Sequence, residues 1–227
     1  MNGHCIKPSV NGLRRTRTPR ILSDPMRVLV TGFNPFGKHR RNPTQVLARD
    51  ADRRSIGGAV LSGRVLATEF RRCDRMIEKA LREIRPDAVL MFGLAANRKK
   101  ISLECVALNV DHTETPDNAG RRPWRRAIDP RGPALLEATL PIDRMHAALK
   151  RAKVPVSVSY HAGTYVCNHA FYRALRRAGR ARVAFIHVPE RAKPGRLRRA
   201  LDTLVRAIAG GNSRGPGKVR KTKGGPA

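Results

Sequence analysis

The chain has 227 residues, of which 47 are Lys or Arg and 17 are Asp or Glu, giving a formal charge of +30 and a pI near 11.7. That length suits one domain with a sizeable core, and no apolar run reaches the roughly 18 residues of a membrane-spanning helix, so such a helix is excluded. Cys5, Cys73, Cys105 and Cys167 stand far apart with no CxxC spacing, which excludes a zinc ribbon and a disulfide-dense scaffold and fits a reducing, cytoplasmic compartment.

Residues 1–25 are arginine-rich and lack apolar periodicity, so they read as a basic disordered extension, with Met26 as an alternative start just before the first strand. RVLVTGF at 27–33 predicts a strand, followed by a helix that Asn42 caps and Pro43 opens, with Val46 and Leu47 turned inward. AVLSGRVLATEF at 59–70 predicts a second strand. From Asp74 to Ile84, the apolar positions Met76, Ile77, Ala80, Leu81 and Ile84 recur at helical spacing until Pro86 stops them. DAVLMFG at 87–93 and ISLECVALNV at 101–110 are further strands, several of these segments being continuous apolar runs as expected where both faces are covered. Residues 113–133, with four prolines and many arginines, read as a long surface loop. VPVSVSY at 154–160 is a strand, Val166, Ala170, Leu175 and Ala178 mark a helix, and RVAFIHV at 182–188 is the last strand. Leu197, Leu201, Leu204, Val205 and Ile208 make a final amphipathic helix, and residues 210–227 read as a basic disordered tail. Strands alternating with helices over residues 26–209 imply a single-domain, three-layer α/β/α sandwich around a mostly parallel, twisted sheet.

A charge of +30 raises the question of a nucleic-acid partner. The excess is spread along the body and is not held in one arm: residues 1–26 carry five Lys/Arg and one acid, and residues 210–227 carry five Lys/Arg and no acid. Aromatic content is 4%, with no RNP-type pattern, zinc finger or KH-like element. No specific nucleic-acid reading is expected, only weak, salt-sensitive adhesion to polyanions. Neither a Walker loop nor GxGxxG is present, and no metal or cofactor is expected.

The chemistry concentrates in HAGTYVCNHAFYRAL at 161–175 and the strand after it. A polar run leads from an apolar strand into the helix, which sets Cys167 at or near a helix N-terminus, where the dipole favours a thiolate and free N–H groups can receive an oxyanion. Read alone, Cys167 is more readily a buried space-filling thiol, the commoner fate of a free cysteine. His187, among Phe185, Ile186 and Val188 and before Pro189, sits at a strand end, where open α/β sheets place ligands; by itself it is also a core histidine. Glu104 is a carboxylate inside an apolar strand and needs a partner there, for which a histidine N–H is one candidate. A thiol, an imidazole and an acid that orients it form the general logic of nucleophilic catalysis.

Four blocks occur in order: VLVTGFNPFG at 28–37 with Asn42-Pro43 after it, GLAANRKKISLECVALNV at 93–110 with PDN at 116–118, AGTYVCNHAFY at 162–172, and FIHVPE at 185–190. Through them, over about residues 27–208, the chain resembles the pyroglutamyl peptidase I (pyrrolidone carboxyl peptidase) family of cysteine peptidases, whose fold is of the α/β/α type. The resemblance implies Cys167 as nucleophile, His187 as general base and acid, and Glu104 as the group orienting the histidine. It also implies a substrate pocket from Phe33, Phe36, Asn42, Leu94 and Val166, with the two phenylalanines sandwiching a pyrrolidone ring and the backbone of Gly93-Leu94-Ala95 bonding its amide. Soluble dimers or tetramers are implied too.

Three places depart from the family pattern, one of them the segment after His187, which is shorter than typical, with Pro189-Glu190 following at once. Glu114 stands where the resemblance implies an arginine that holds the oxyanion or substrate carbonyl, and Ala96-Asn97-Arg98 replaces two glycines before an arginine. An anion at 114 near the reacting carbonyl would oppose the oxyanion unless Arg121, Arg122 or Arg125 supplied a cation. The expected function is removal of N-terminal pyroglutamate (5-oxoproline) from peptides through a thioester acyl-enzyme. The alternatives are a catalytically weakened paralogue that binds pyroglutamyl or related N-termini and, further off, a basic nucleic-acid-interacting protein.

Overall fold

Apolar runs become strands where both of their faces can be covered, and the central strand of this sheet is buried at every residue. The computed structural model describes residues 24–210. Its elements run β1 (Met26–Phe33), α1 (Pro43–Ala51), β2 (Ser55–Ile56), β3 (Ala59–Leu66), α2 (Phe70–Ile84), β4 (Ala88–Leu94) and β5 (Ile101–Leu108). There follow β6 (Leu135–Glu137), α3 (Ile142–Arg151), β7 (Val156–His161), α4 (Val166–Arg177), β8 (Arg182–Val188) and α5 (Pro194–Ala209). The expected extensions at 1–25 and 210–227 lie, but for Asp24, Pro25 and Gly210, outside the described residues.

The sheet order is β2-β3-β1-β4-β8-β5-β6, with β7 paired to β5. The block β3-β1-β4-β8 is parallel, as expected. β5 runs antiparallel to β8 and carries β7 parallel to itself, so the sheet is mixed, with a reversed portion on one side. The reason lies in the connection: residues 95–100 between β4 and β5 are too few for the helical crossover that a parallel return needs. β5 therefore comes back in the opposite direction, one strand beyond β4, and β8 later fills the gap between them.

Strand alternation sorts the side chains into two cores. Val28, Val30, Leu90, Phe92, Leu103, Ala184 and Ile186 meet α1, α3 and α5 on one face. Leu29, Val89, Met91, Val183 and Phe185 meet α2 and α4 on the other. By the same alternation Glu104 and His187 belong to the α2/α4 face, beneath the helix that carries Cys167. Gly32 is required where α1 crosses β1, because a Cβ there would stand 1.9 Å from the Thr44 carbonyl oxygen.

Five elements differ from the sequence reading. α2 begins at Phe70, ahead of the expected Asp74, because Asp117 of the long loop accepts the Phe70 N–H at 3.0 Å and caps the helix from a distance. The strand expected to reach Phe70 stops at Leu66. α3, β2 and β6 were not anticipated; α3 buries Met145, Ala148 and Leu149, a short stripe behind Pro141.

Candidate active site

α4 starts at Val166 after Tyr165, so Cys167 stands in its first turn. The first N–H groups of a helix have no partner within it, and at Tyr165 no side chain caps them. The Asn42 side chain, by contrast, closes the start of α1 by accepting the Thr44 N–H at 3.1 Å. The uncapped turn leaves main-chain donors beside the thiol. Asn168, buried next to Cys167, fixes the turn against β5: its Oδ1 accepts the Leu108 N–H at 2.8 Å, and its Nδ2 donates to the Leu108 and Val110 carbonyls at 2.8 and 3.1 Å.

Across β5 and β8, Ser102 is opposite His187 and Glu104 opposite Phe185, which makes Glu104 and His187 diagonal neighbours on one face. His187 Nδ1 lies 2.8 Å from Glu104 Oε1, with the histidine 5% and the glutamate 0% exposed. This hydrogen bond fixes the tautomer: Nδ1–H donates to the carboxylate, and Nε2 is left to take up a proton. The same Glu104 oxygen is 2.9 Å from Arg98 Nη1, while Oε2 has no partner among the described residues. Glu104 thus has both the imidazole that the sequence called for and a guanidinium that it did not.

Cys167 and His187 line one cavity of about 290 Å³ with Phe33, Phe36, Tyr165 and Leu94 as apolar walls and Asn42, Thr68 and Arg98 as polar ones. Phe36 and Tyr165 pack tilted, 5.8 Å apart between ring centres, and Phe33 leans on Phe185 at 6.3 Å. Gly93 makes the close approach of α4 possible, since a Cβ at this position would stand 2.9 Å from Cys167 Sγ and 2.7 Å from the Phe185 ring. The PDN segment ties the rim together: Asn118 donates from its side chain to the Pro35 carbonyl and from its main chain to that of Thr68.

The thiol does not follow the helix dipole. Burial first, and then the Glu104 carboxylate, push its pKa from 9.0 up to about 12, so Cys167 rests as a neutral thiol and not as the thiolate that a helix N-terminus alone would favour. It needs a base, and the free Nε2 of His187 in the same cavity is suited to that task.

Of the other expected site residues, Phe33, Phe36, Asn42 and Leu94 line the cavity. Asn42 spends its side chain on the α1 cap and on donating to the Asn34 carbonyl, and the Ala95 N–H is taken by the Val188 carbonyl. Val166 is not part of the cavity wall; as the first residue of α4 it is fully buried in the α2/α4 core. Glu114 is exposed and outside the cavity, because the loop that carries it folds over toward Pro123. Arg121 and Arg122 line a different cavity, beside Phe70 and His169. The cation at the site is Arg98, whose signal was its position just past the carboxyl end of β4. His161 accepts the Gly163 N–H, and His169 is buried against Asp111 at 2.9 and 3.0 Å, so both flanking imidazoles are engaged elsewhere.

The pyroglutamyl peptidase family model matches residues 26–196. A pyrrolidone-carboxylate peptidase of Chromobacterium violaceum is 42% identical over 186 residues, covering 80% of this chain and 88% of that protein. One from Pyrococcus furiosus is 40% identical over 168 residues, covering 72% and 81%. Among solved structures, pyrrolidone carboxyl peptidase from Thermococcus litoralis superposes with a TM-score of 0.78 at 31% identity over 81% of this chain and 93% of that one. Pyroglutamyl peptidase I of Bacillus amyloliquefaciens gives 0.78 at 30% over 82% and 97%. With its sheet, its cavity and these relatives in agreement, the chain belongs to the pyroglutamyl peptidase family of cysteine peptidases.

Proposed function

We propose that this protein removes N-terminal pyroglutamate from peptides through a thioester on Cys167. The observation that carries the reading is the Glu104–His187 hydrogen bond at the floor of the cavity that also holds Cys167. His187 Nε2 takes the thiol proton as Sγ attacks the pyroglutamyl carbonyl, and the carbonyl oxygen becomes an oxyanion near the open N–H groups of α4. His187 then returns the proton to the departing amine as the C–N bond breaks. Water, deprotonated by the same imidazole, attacks the thioester and releases pyroglutamate, with the proton passing back to the thiol. Glu104 holds the imidazole in the productive tautomer and balances the imidazolium between the two transfers.

Phe33, Phe36 and Tyr165 support recognition of a small flat ring, because flat walls around about 290 Å³ suit a lactam better than an extended side chain. Arg98 supports the electrostatics: its guanidinium neutralises Glu104 and faces the cavity, the place that Glu114 does not occupy. With Glu114 away from the reacting carbonyl, the weakened-paralogue reading loses the feature that prompted it. The reading extends to a protein of the cytoplasm, supported by three unpaired cysteines among the described residues. It extends also to a homodimer or homotetramer, supported by the edge strand β7 with Val158 47% and Tyr160 85% exposed. Light scattering on the purified protein tests the assembly. The activity is tested with a fluorogenic pyroglutamyl amide: turnover that a thiol-alkylating reagent abolishes is expected, and no turnover by the untreated protein would refute it.

A further inference from the structure

A second groove, of about 440 Å³, neighbours the candidate active-site cavity, and Arg98 lines both. Its walls are the two segments that leave the carboxyl ends of neighbouring strands β4 and β8, residues 96–101 and 189–196. Pro155, Pro189, Ile101 and Ala192 make its apolar surface, and Lys99, Lys100, Arg191 and Arg196 make its charge. None of these four cations has an ion pair among the described residues. The one acid in the groove, Glu190, is held by His39. Elsewhere Arg54, Arg64, Arg176, Arg177 and Arg198 are each matched to an aspartate, while Arg82, Arg151 and Arg180, like these four, have no ion pair among the described residues; what sets the groove apart is that its cations surround a concave site next to the cavity.

We infer that this groove is the subsite for the part of the substrate that follows pyroglutamate, and that it selects carboxylates, either acidic side chains or a nearby peptide C-terminus. The inference rests on the proposed peptidase activity. In that reaction the departing amine must lie beside His187 to receive its proton, and the chain beyond His187 runs within two residues into the groove wall at Pro189 and Glu190. A peptide whose ring lies between Phe33 and Phe36 and whose departing amine meets His187 thus has the wall that carries Arg191 and Arg196 next to it, with Lys99 and Lys100 on the groove's other segment. Unpaired cations around a concave, partly apolar site focus their field on an anion there and repel a lysine or arginine side chain.

The test measures kcat/KM at low salt for pyroglutamyl tripeptides bearing Glu, Ala or Lys at the second or third position with amidated C-termini, together with the all-alanine peptide as the free acid. A fluorogenic pyroglutamyl amide is run alongside as the measure of the basic reaction. Glu is expected to exceed Ala by about tenfold at one of the two positions, which corresponds to about 1.4 kcal/mol, and Lys is expected to fall below Ala. The free-acid arm separates a C-terminal carboxylate from a side chain as the favoured group. Combined Lys99→Gln, Lys100→Gln and Arg191→Gln should bring the Glu/Ala ratio close to one. Combined Arg82→Gln, Arg151→Gln and Arg180→Gln, which removes equal charge from exposed positions outside the groove, should leave the ratio in place. Equal kcat/KM for all peptides, or a ratio lost equally in both triple variants, overturns the subsite while the fluorogenic amide is still cleaved. Absence of cleavage of that amide overturns the peptidase reading and the subsite with it.

Discussion

Removing the Cys167 thiol takes away the attacking atom, so Cys167→Ala and Cys167→Ser should lose activity by on the order of a thousandfold or more with little change in unfolding midpoint, whereas Cys73→Ser and Cys105→Ser keep turnover. His187→Ala should cost nearly as much. Glu104→Gln should cost less, since the imidazole remains but is held in a mixture of tautomers. Steady-state kinetics on a pyroglutamyl amide checks all of these, and full activity in His187→Ala would pass the base role to another group. The raised thiol pKa adds a pH signature. Because the folded value, about 12, lies above the ordinary 9.0, the neutral thiol is the form that the fold favours. Alkylation of the resting protein by iodoacetamide should therefore be slow at pH 7 and climb steadily through pH 9 without levelling off. A plateau near neutrality would reveal a preformed thiolate–imidazolium pair instead. By the same sign, stability associated with this thiol is present below pH 9 and lost as pH rises toward 12.

At the scale of elements, the site depends on how closely α4 approaches the sheet. Gly93→Ala puts a methyl 2.9 Å from Cys167 Sγ and against the Phe185 ring, both of them packed, so the thiol must shift. The expected result is a fall in kcat larger than the loss of stability would explain, read by comparing kcat with the thermal midpoint. Asn168→Ala leaves the Leu108 N–H and two carbonyls without their side-chain partner in a buried place, which costs on the order of 3 kcal/mol. Urea denaturation measures it; a change under about 0.5 kcal/mol would mean that these groups find other partners. The reversal of β5 matters equally. The antiparallel register of β5 with β8 puts Glu104 diagonal to His187 on one face, a pairing that the periodicity of the strands by itself does not specify.

At the scale of the molecule, 47 Lys and Arg stand against 17 Asp and Glu, so most of the positive charge has no acid to pair with, that of the second groove included. Binding to DNA or RNA should accordingly be sequence-independent and collapse between about 50 and 200 mM salt, as a filter-binding titration would show; tight, sequence-selective binding at the higher salt would point to a nucleic-acid function. The alternation of apolar strands with amphipathic helices, the cap at Asn42, and the identity of Cys167, His187 and Glu104 as chemically capable residues were legible in the sequence. Each is a local signal: a periodicity, a turn, or a polar group in an apolar run that must find a partner. Arg98 as that carboxylate's second partner, the cap that Asp117 supplies to α2, the exclusion of Glu114 and Val166 from the cavity, and the neutral state of the thiol were not. They depend on contacts between residues far apart in the chain and on burial, which local pattern does not encode. Which carboxylate meets which imidazole, and whether a thiol meets water or hydrocarbon, is decided only when the strands are in register and the helices are packed upon them.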